Sequence, residues 1–168
     1  MKFKKTIVIL LVSVSVLGLV SCSIGHGENY NKYLTDKDKK YFGSRICSTI
    51  DYQCSDAEKA QVEDVLETAR RVFSYVGTKE NADKDVGALS RYYRYTDSLN
   101  YISVDLKLDL ITAKIKSNGK SGYMWIVYSI DRYDKNGENV AGSTNIPCYW
   151  EIEKQNDRWV VTNVMEPA

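Results

Sequence analysis

Histidine is almost missing from this chain of 168 residues, which has one, His26. It sits four residues beyond Cys22, in a stretch that reads as a tether rather than as part of a folded pocket. That placement argues against Ser-His-Asp and Cys-His catalysis and against histidine-based metal sites in one step. An excess of one charge is missing too. With 23 Lys+Arg against 22 Asp+Glu, the chain offers no basic face for nucleic acid. Its long apolar run, Ile7 to Val20, spans 14 residues and includes Ser13, Ser15 and Gly18. A membrane-crossing helix needs about 20 apolar residues, so this run is too short to cross. Internal repeats and low-complexity segments are absent. Gly119-Lys120-Ser121 looks like the tail of a phosphate loop, but Lys114 stands where that motif needs its first glycine. Asp134-Lys135-Asn136-Gly137-Glu138 carries its glycine two places too early for an EF-hand and reads as a hairpin turn. No cofactor and no metal is expected.

What is present begins at residue 1. Lys2, Lys4 and Lys5 precede the apolar run, which ends in Leu19-Val20-Ser21-Cys22. A basic start, a short apolar middle and a small residue at the end make an export signal. The last four residues resemble the lipobox of bacterial lipoproteins. The resemblance implies cleavage before Cys22 and a diacylglyceryl group (with palmitate-like chains) on its thiol. It places residues 1–21 as signal peptide and the protein on the extracytoplasmic side of a cell membrane or outer membrane. Two acyl chains suffice for stable anchoring. Loss of the leader would leave 147 residues with 20 Lys+Arg against 22 Asp+Glu, a net charge of −2. That length suits one domain with its own core.

Residues 22–54 read as lipidated cysteine, tether and lead-in. Thr35-Asp36-Lys37-Asp38-Lys39-Lys40 is nearly pure charge and suits a solvated spacer. Cys47 and Cys54 enclose a short loop that a disulfide could close in an oxidising envelope. The alternative is that Cys47, Cys54 and Cys148 are all reduced thiols. The spacing fits no common zinc pattern.

The domain is expected over 55–168. Ser55-Asp56-Ala57-Glu58 is a capping box. Val62, Val65, Leu66, Ala69, Val72, Phe73 and Val76 follow at helical spacing. A helix over 56–76 results, ended by Gly77. A shorter helix over 83–94 would bury Val86, Leu89 and Tyr92 or Tyr93. The period then drops to two. Ile102, Val104, Leu106, Leu108 and Leu110 alternate with polar residues, and the phase flips at Ile111. A β-bulge near Leu110–Ile111 keeps one face apolar. Asn118-Gly119 marks a hairpin. The strand 123–133 carries large residues on both faces, so it is central or faces both a core and a cavity. A third strand over 143–154 points Ile146, Cys148, Trp150 and Ile152 inward and Tyr149, Glu151 and Glu153 outward. Trp159–Met165 is the last strand. The fold class is therefore α+β: a long amphipathic helix, plus a short second one, on a curved four-stranded antiparallel meander.

The helix at 56–76, the bent strand at 102–116 and the hairpin Tyr149-Trp150-Glu151-Ile152-Glu153-Lys154 to Asp157-Arg158-Trp159-Val160-Val161-Thr162 resemble the nuclear transport factor 2-like and cystatin-like group. The resemblance implies a curved sheet wrapped around its helix into a cone. The group's usual early hairpin and third helix have no counterpart between 77 and 100.

Some members of that group are enzymes with an Asp or Tyr in the cavity. Asp131 is the acid within the bulky second strand, and Tyr128 or Tyr149 would be its partner in an isomerase or dehydratase. Otherwise the chain holds no catalytic constellation. Aromatics are the stronger lead, because rings with polar tips favour ligand cavities and interfaces. Tyr92, Tyr93 and Tyr95 are expected at the cone's mouth, with Trp125, Tyr128 and Trp150 as further candidates. The leading expectation is a non-catalytic, membrane-tethered module for a small apolar ligand or an envelope protein. The rival readings are the Asp131 enzyme and a structural lipoprotein that pairs as a homodimer through its outer sheet face.

Overall fold

Thr35 and Ser55 each start a helix by the same device. The Thr35 hydroxyl accepts from the Asp38 amide at 3.2 Å while the Thr35 amide donates to the Asp38 carboxylate at 2.8 Å. Ser55 and Glu58 repeat this reciprocal pair at 3.2 and 2.9 Å. Each box satisfies helix-end amides that would otherwise lack partners. The first box opens α1 (Asp36–Cys47), kinked at Gly43. The second opens α2 (Asp56–Phe73). The architecture comes from a computed structural model that describes residues 30–96 and 100–167. The expected signal peptide, Cys22 and His26 lie outside the described residues. Among the described residues, no helix is long and apolar enough to cross a membrane.

Helix α2 buries Val62, Val65, Leu66, Ala69, Val72 and Phe73, the stripe read from the sequence. It ends three residues earlier than expected. Ser74 caps it by donating its amide to the Arg70 carbonyl, and Val76 is left exposed. The expected second α-helix is instead a 3-10 helix, Gly87–Tyr92. Gly87 has φ +58°, and a Cβ there would meet the Val161 carbonyl oxygen at 2.5 Å. The chain lies flat on the last strand at this point, which an α-helical turn with side chains all round would prevent. Val86, Leu89, Tyr92 and Tyr93 are all buried.

Four strands follow: β1 (Ser103–Ile115), β2 (Ser121–Tyr133), β3 (Asn139–Gln155) and β4 (Arg158–Met165). They form one antiparallel open sheet in the order β1-β2-β3-β4. Together with few helices, this makes the domain α+β. The β1–β2 register shifts between Leu110 and Thr112, which leaves Ile111 as the bulged residue. Its insertion keeps Leu110 and Ala113 with the same core. Asn118-Gly119 makes the β1–β2 turn, with Gly119 at φ +63°. The Asp134 carboxylate accepts from the amides of Asn136 and Glu138 in the β2–β3 turn.

The sheet has a core on each face. On one, Ala113, Met124, Ile126, Tyr128, Ile130, Cys148, Trp150, Ile152, Val161 and Val164 pack with α2 and the 3-10 helix. On the other, Leu34, Phe42 and Ile50 pack with Tyr123, Trp125 and Tyr149. The stretch expected as a lead-in is thus part of the fold from Leu34 onward. Phe42 meets the Trp125 ring edge-on at 4.8 Å, and the Trp125 indole N–H donates to the Thr49 hydroxyl at 2.9 Å. This second cover explains why β2 carries large residues on both faces. Tyr149 does point to the outer face, opposite Cys148 and Trp150, but α1 and its flanks cover it there. Where Tyr123, Trp125 and Tyr149 lie, the outer face expected to pair two copies is covered by the chain's own residues.

Cys47 and Cys54 stand unbridged in this structure. Cys47 ends α1 with its thiol turned toward the Lys39 carbonyl at 3.8 Å, and burial pushes that thiol's pKa up. Cys54 lies beyond the turn, just before the α2 cap.

Candidate functional site

An opening lies among the described residues where α2, the segment 83–89 and β4 meet. It has a volume of about 620 Å³. Val65, Val86, Leu89 and Val161 form its apolar floor, and half-buried Trp159 stands in its wall. Its rim is charged. Asp64 and Glu67 come from α2, and Asp83 and Asp85 from the loop that follows. Arg71 pairs with Asp83 at 3.1 Å and Arg158 with Asp85 at 3.2 Å. Both ion pairs are exposed, and such pairs contribute about 0–1 kcal/mol, so a ligand can rearrange them at small cost. Four carboxylates against two guanidiniums leave the rim acidic.

A shallower groove of about 550 Å³ runs beside it, lined by Lys79, Lys84, Asp83, Ser90, Tyr93 and Tyr95 among others. The Tyr93 and Tyr95 rings stack at 6.0 Å, and Tyr75 meets Tyr93 edge-on at 5.0 Å. Two of the three tyrosines expected at one mouth do share a groove.

Tyr92 does not join them. In a 3-10 helix residues three apart share a face, and Tyr92 follows Leu89 into the core. There it meets Tyr128, Trp150, Cys148 and Glu166. Its ring stacks on Phe73 at 4.2 Å, and Tyr128 meets Phe73 edge-on at 4.7 Å. The Tyr92 hydroxyl donates to Glu166 Oε2 at 2.6 Å, the Tyr128 hydroxyl to Glu166 Oε1 at 3.1 Å, and the Cys148 thiol to Oε2 at 3.2 Å. The Trp150 indole N–H donates to the Tyr92 oxygen at 3.4 Å. Burial, followed by the nearby charge of Glu166, pushes the Tyr128 hydroxyl and the Cys148 thiol well up from their ordinary values. Burial, then Cys148 and Glu166, do the same to Tyr92. All three therefore stay protonated and act as donors.

Trp125 lies on the opposite face of the sheet from this cluster, so the six aromatic candidates fall in three places. The Asp131 pair is not formed. Asp131 follows core residue Ile130 on β2 and so points to the other face from it. Its carboxylate accepts from the Asn139 amide at 2.6 Å and lies over Gly142. Tyr128 points into the α2 core, away from Asp131. Tyr149 pairs with Trp125 in the ladder, six residues along β2 from Asp131, which is about 20 Å at strand rise. Cys22, the residue expected to carry lipid, lies outside the described residues.

The sequence reading missed Glu166, Trp159 and the charged rim. Trp159 had a signal, since it is a large aromatic at the start of the last strand, just past the Gln155-Asn156-Asp157 turn. Glu166 had none, because its three donors come from positions 18 to 74 residues away.

No family model matches the chain, and no curated protein matches it. Solved structures resemble it more distantly. The intermembrane space region of the chloroplast protein ARC6 aligns with a TM-score of 0.46 at 16% identity, covering 69% of this chain and 99% of its own. The association domain of C. elegans CaMKII gives 0.39 at 15%, covering 68% and 100%. A domain of unknown function with a cystatin-like fold from Nostoc punctiforme gives 0.36 at 11%, covering 67% and 78%. Likeness at this level transfers neither ligand nor activity to this chain.

Proposed function

We propose that this chain is a bacterial lipoprotein, held outside the cytoplasm by lipid on Cys22, whose cone-like domain is a non-catalytic docking module for an envelope protein. The observation that carries the docking role is the acidic cleft with Trp159 in its wall. A small apolar ligand fits less well. Tyr92, Tyr128, Trp125 and Trp150, the rings that would have received it, are consumed in the two cores. An acidic rim over an apolar floor instead suits a basic, amphipathic segment, with its cations at the carboxylates and a stem or ring against Trp159. The domain's binding needs no reacting group, and the expected Asp131 pair supplies none.

The test is site-specific photo-crosslinking in intact cells, with the crosslinking residue at position 159 and, as control, at exposed Val140. The reading expects a discrete protein adduct from position 159 that disappears when Asp83 and Asp85 are changed to Lys. The same adducts from both positions, or an adduct from 159 that is indifferent to the charge reversal, would overturn it.

A further inference from the structure

We propose that Tyr92, Tyr128 and Cys148 form a carboxylate-binding cradle, which the chain's own Glu166 fills in this structure and which an external carboxylate can fill in its place. The cradle is distinct from the acidic cleft, and nothing in its argument rests on the docking role.

Tyr92 has one hydroxyl hydrogen, and it goes to the nearer, charged acceptor, Glu166 Oε2, rather than to Cys148 Sγ at 3.5 Å. Its oxygen is then free to accept from the Trp150 indole N–H. Cys148 and Tyr128 add one donor each, so both carboxylate oxygens are served. The chain Trp150 to Tyr92 to Glu166 aligns its dipoles, which strengthens each member in a low-dielectric setting. The 2.6 Å contact has the length of a charge-assisted hydroxyl–carboxylate bond.

The donors come from three separate elements. Tyr92 ends the 3-10 helix, Tyr128 lies on β2, and Cys148 and Trp150 lie on β3. Each is buried, and a buried donor without an acceptor is costly. The place therefore demands an acceptor with two oxygens. The rings of Phe73, Tyr92 and Tyr128 wall it with apolar surface. Arg94 and Arg91 act electrostatically on Tyr128 and Cys148 respectively, which favours an anion over a neutral amide.

Glu166 is held there by its side chain. The β3–β4 ladder ends at the pair Tyr149–Met165, so Glu166 is the first residue past it and is half-exposed. Its departure breaks no ladder hydrogen bond. The ligand class is a monocarboxylate with a slim stem. It can be a free organic acid or a carboxylate carried by another protein, and the experiment separates the two.

Thermal unfolding of the Glu166→Ala protein is followed against added sodium acetate, with sodium chloride and acetamide as controls. A second arm uses the peptide acetyl-Met-Glu-Pro-amide. The cradle predicts a saturable rise in the variant's Tm with acetate, absent with either control and much smaller in the parent protein. Removing one donor in Glu166→Ala/Tyr128→Phe should weaken half-saturation by about tenfold. Tighter saturation by the peptide than by acetate assigns the site to a protein-borne carboxylate, and the reverse assigns it to a free acid. Acetate acting like chloride, or half-saturation unchanged by Tyr128→Phe, overturns the proposal. Should Glu166→Ala not fold alone, refolding in excess acetate against excess chloride gives the same reading. Recovery in acetate supports the cradle, and failure in both contradicts it.

Discussion

The Tyr92 hydroxyl lies 2.6 Å from Glu166 Oε2 across 74 residues of chain. This bond ties the 3-10 helix to the residue that follows β4. Tyr92→Phe keeps the ring against Phe73 and removes the short bond to a charged acceptor. Such a bond contributes about 1.5–3 kcal/mol. Denaturant unfolding should show a loss in that range, with the m-value unchanged. Tyr128→Phe, which removes the longer 3.1 Å bond, should cost less.

The cover formed by α1 makes a separate prediction. Phe42 is 4% exposed and packs on Trp125, whereas its neighbour Tyr41 is 49% exposed. Phe42→Ala should cost about 3–5 kcal/mol, as core Phe truncations do, while Tyr41→Ala should change stability by less than about 0.5 kcal/mol. Equal effects would mean that residues 34–50 are a spacer after all.

This contrast bears on how far the sequence could be read. Helix α2 and the four strands were legible because their apolar residues keep one period for many residues. The bulge at Ile111 was legible because the phase of β1 flips without a turn residue to break it. Helix α1 was not. Its apolar contacts are sparse, with Leu34, Phe42 and Ile50 scattered among charges, and Gly43 kinks the helix between them. The capping box at Thr35 was in plain sight, but Asp36 to Lys40 reads as a solvated run. The better clue sat elsewhere. A strand with Tyr123 and Trp125 on one face and Met124 and Ile126 on the other needs two covers, and only residues before 55 were left to supply the second. The cradle was illegible for a different reason: period shows which face a residue takes, not which distant acid will meet it.

Gly87 should resist substitution. Its φ of +58° is unfavourable for an L residue, and a Cβ would press on the Val161 carbonyl, a backbone atom that cannot swing away. Gly87→Ala should destabilise by about 1–3 kcal/mol, read as a lower Tm. The same change at Gly119, which also has positive φ but open space around it, should cost less.

Alkaline pH should weaken the fold. Burial pushes Tyr123 up to about 12 from an ordinary value of 10.0, with Tyr149 beside it adding to the effect. Tyr92, Tyr128 and Cys148 are raised as well. Above the ordinary values the unfolded chain releases protons that the folded chain retains, so the unfolded state gains and stability falls as pH rises. Below the ordinary cysteine value of 9.0 these groups are protonated in both states and contribute no slope. Unfolding free energy measured from pH 7 to 11 should therefore lose none from these groups up to about pH 8, and decline beyond pH 9. A rise over that upper range would contradict the burial of these groups.

The proposed location and partner class both depend on lipid at Cys22, the last residue of the Leu19-Val20-Ser21-Cys22 stretch. The direct measurement is retention in carbonate-washed membranes of the parent chain and of Cys22→Ser, expressed in its own cells. The account predicts that the parent stays in the pellet and that the variant leaves it with its domain still folded. Equal retention of both would contradict the lipid anchor, and with it the envelope-docking role.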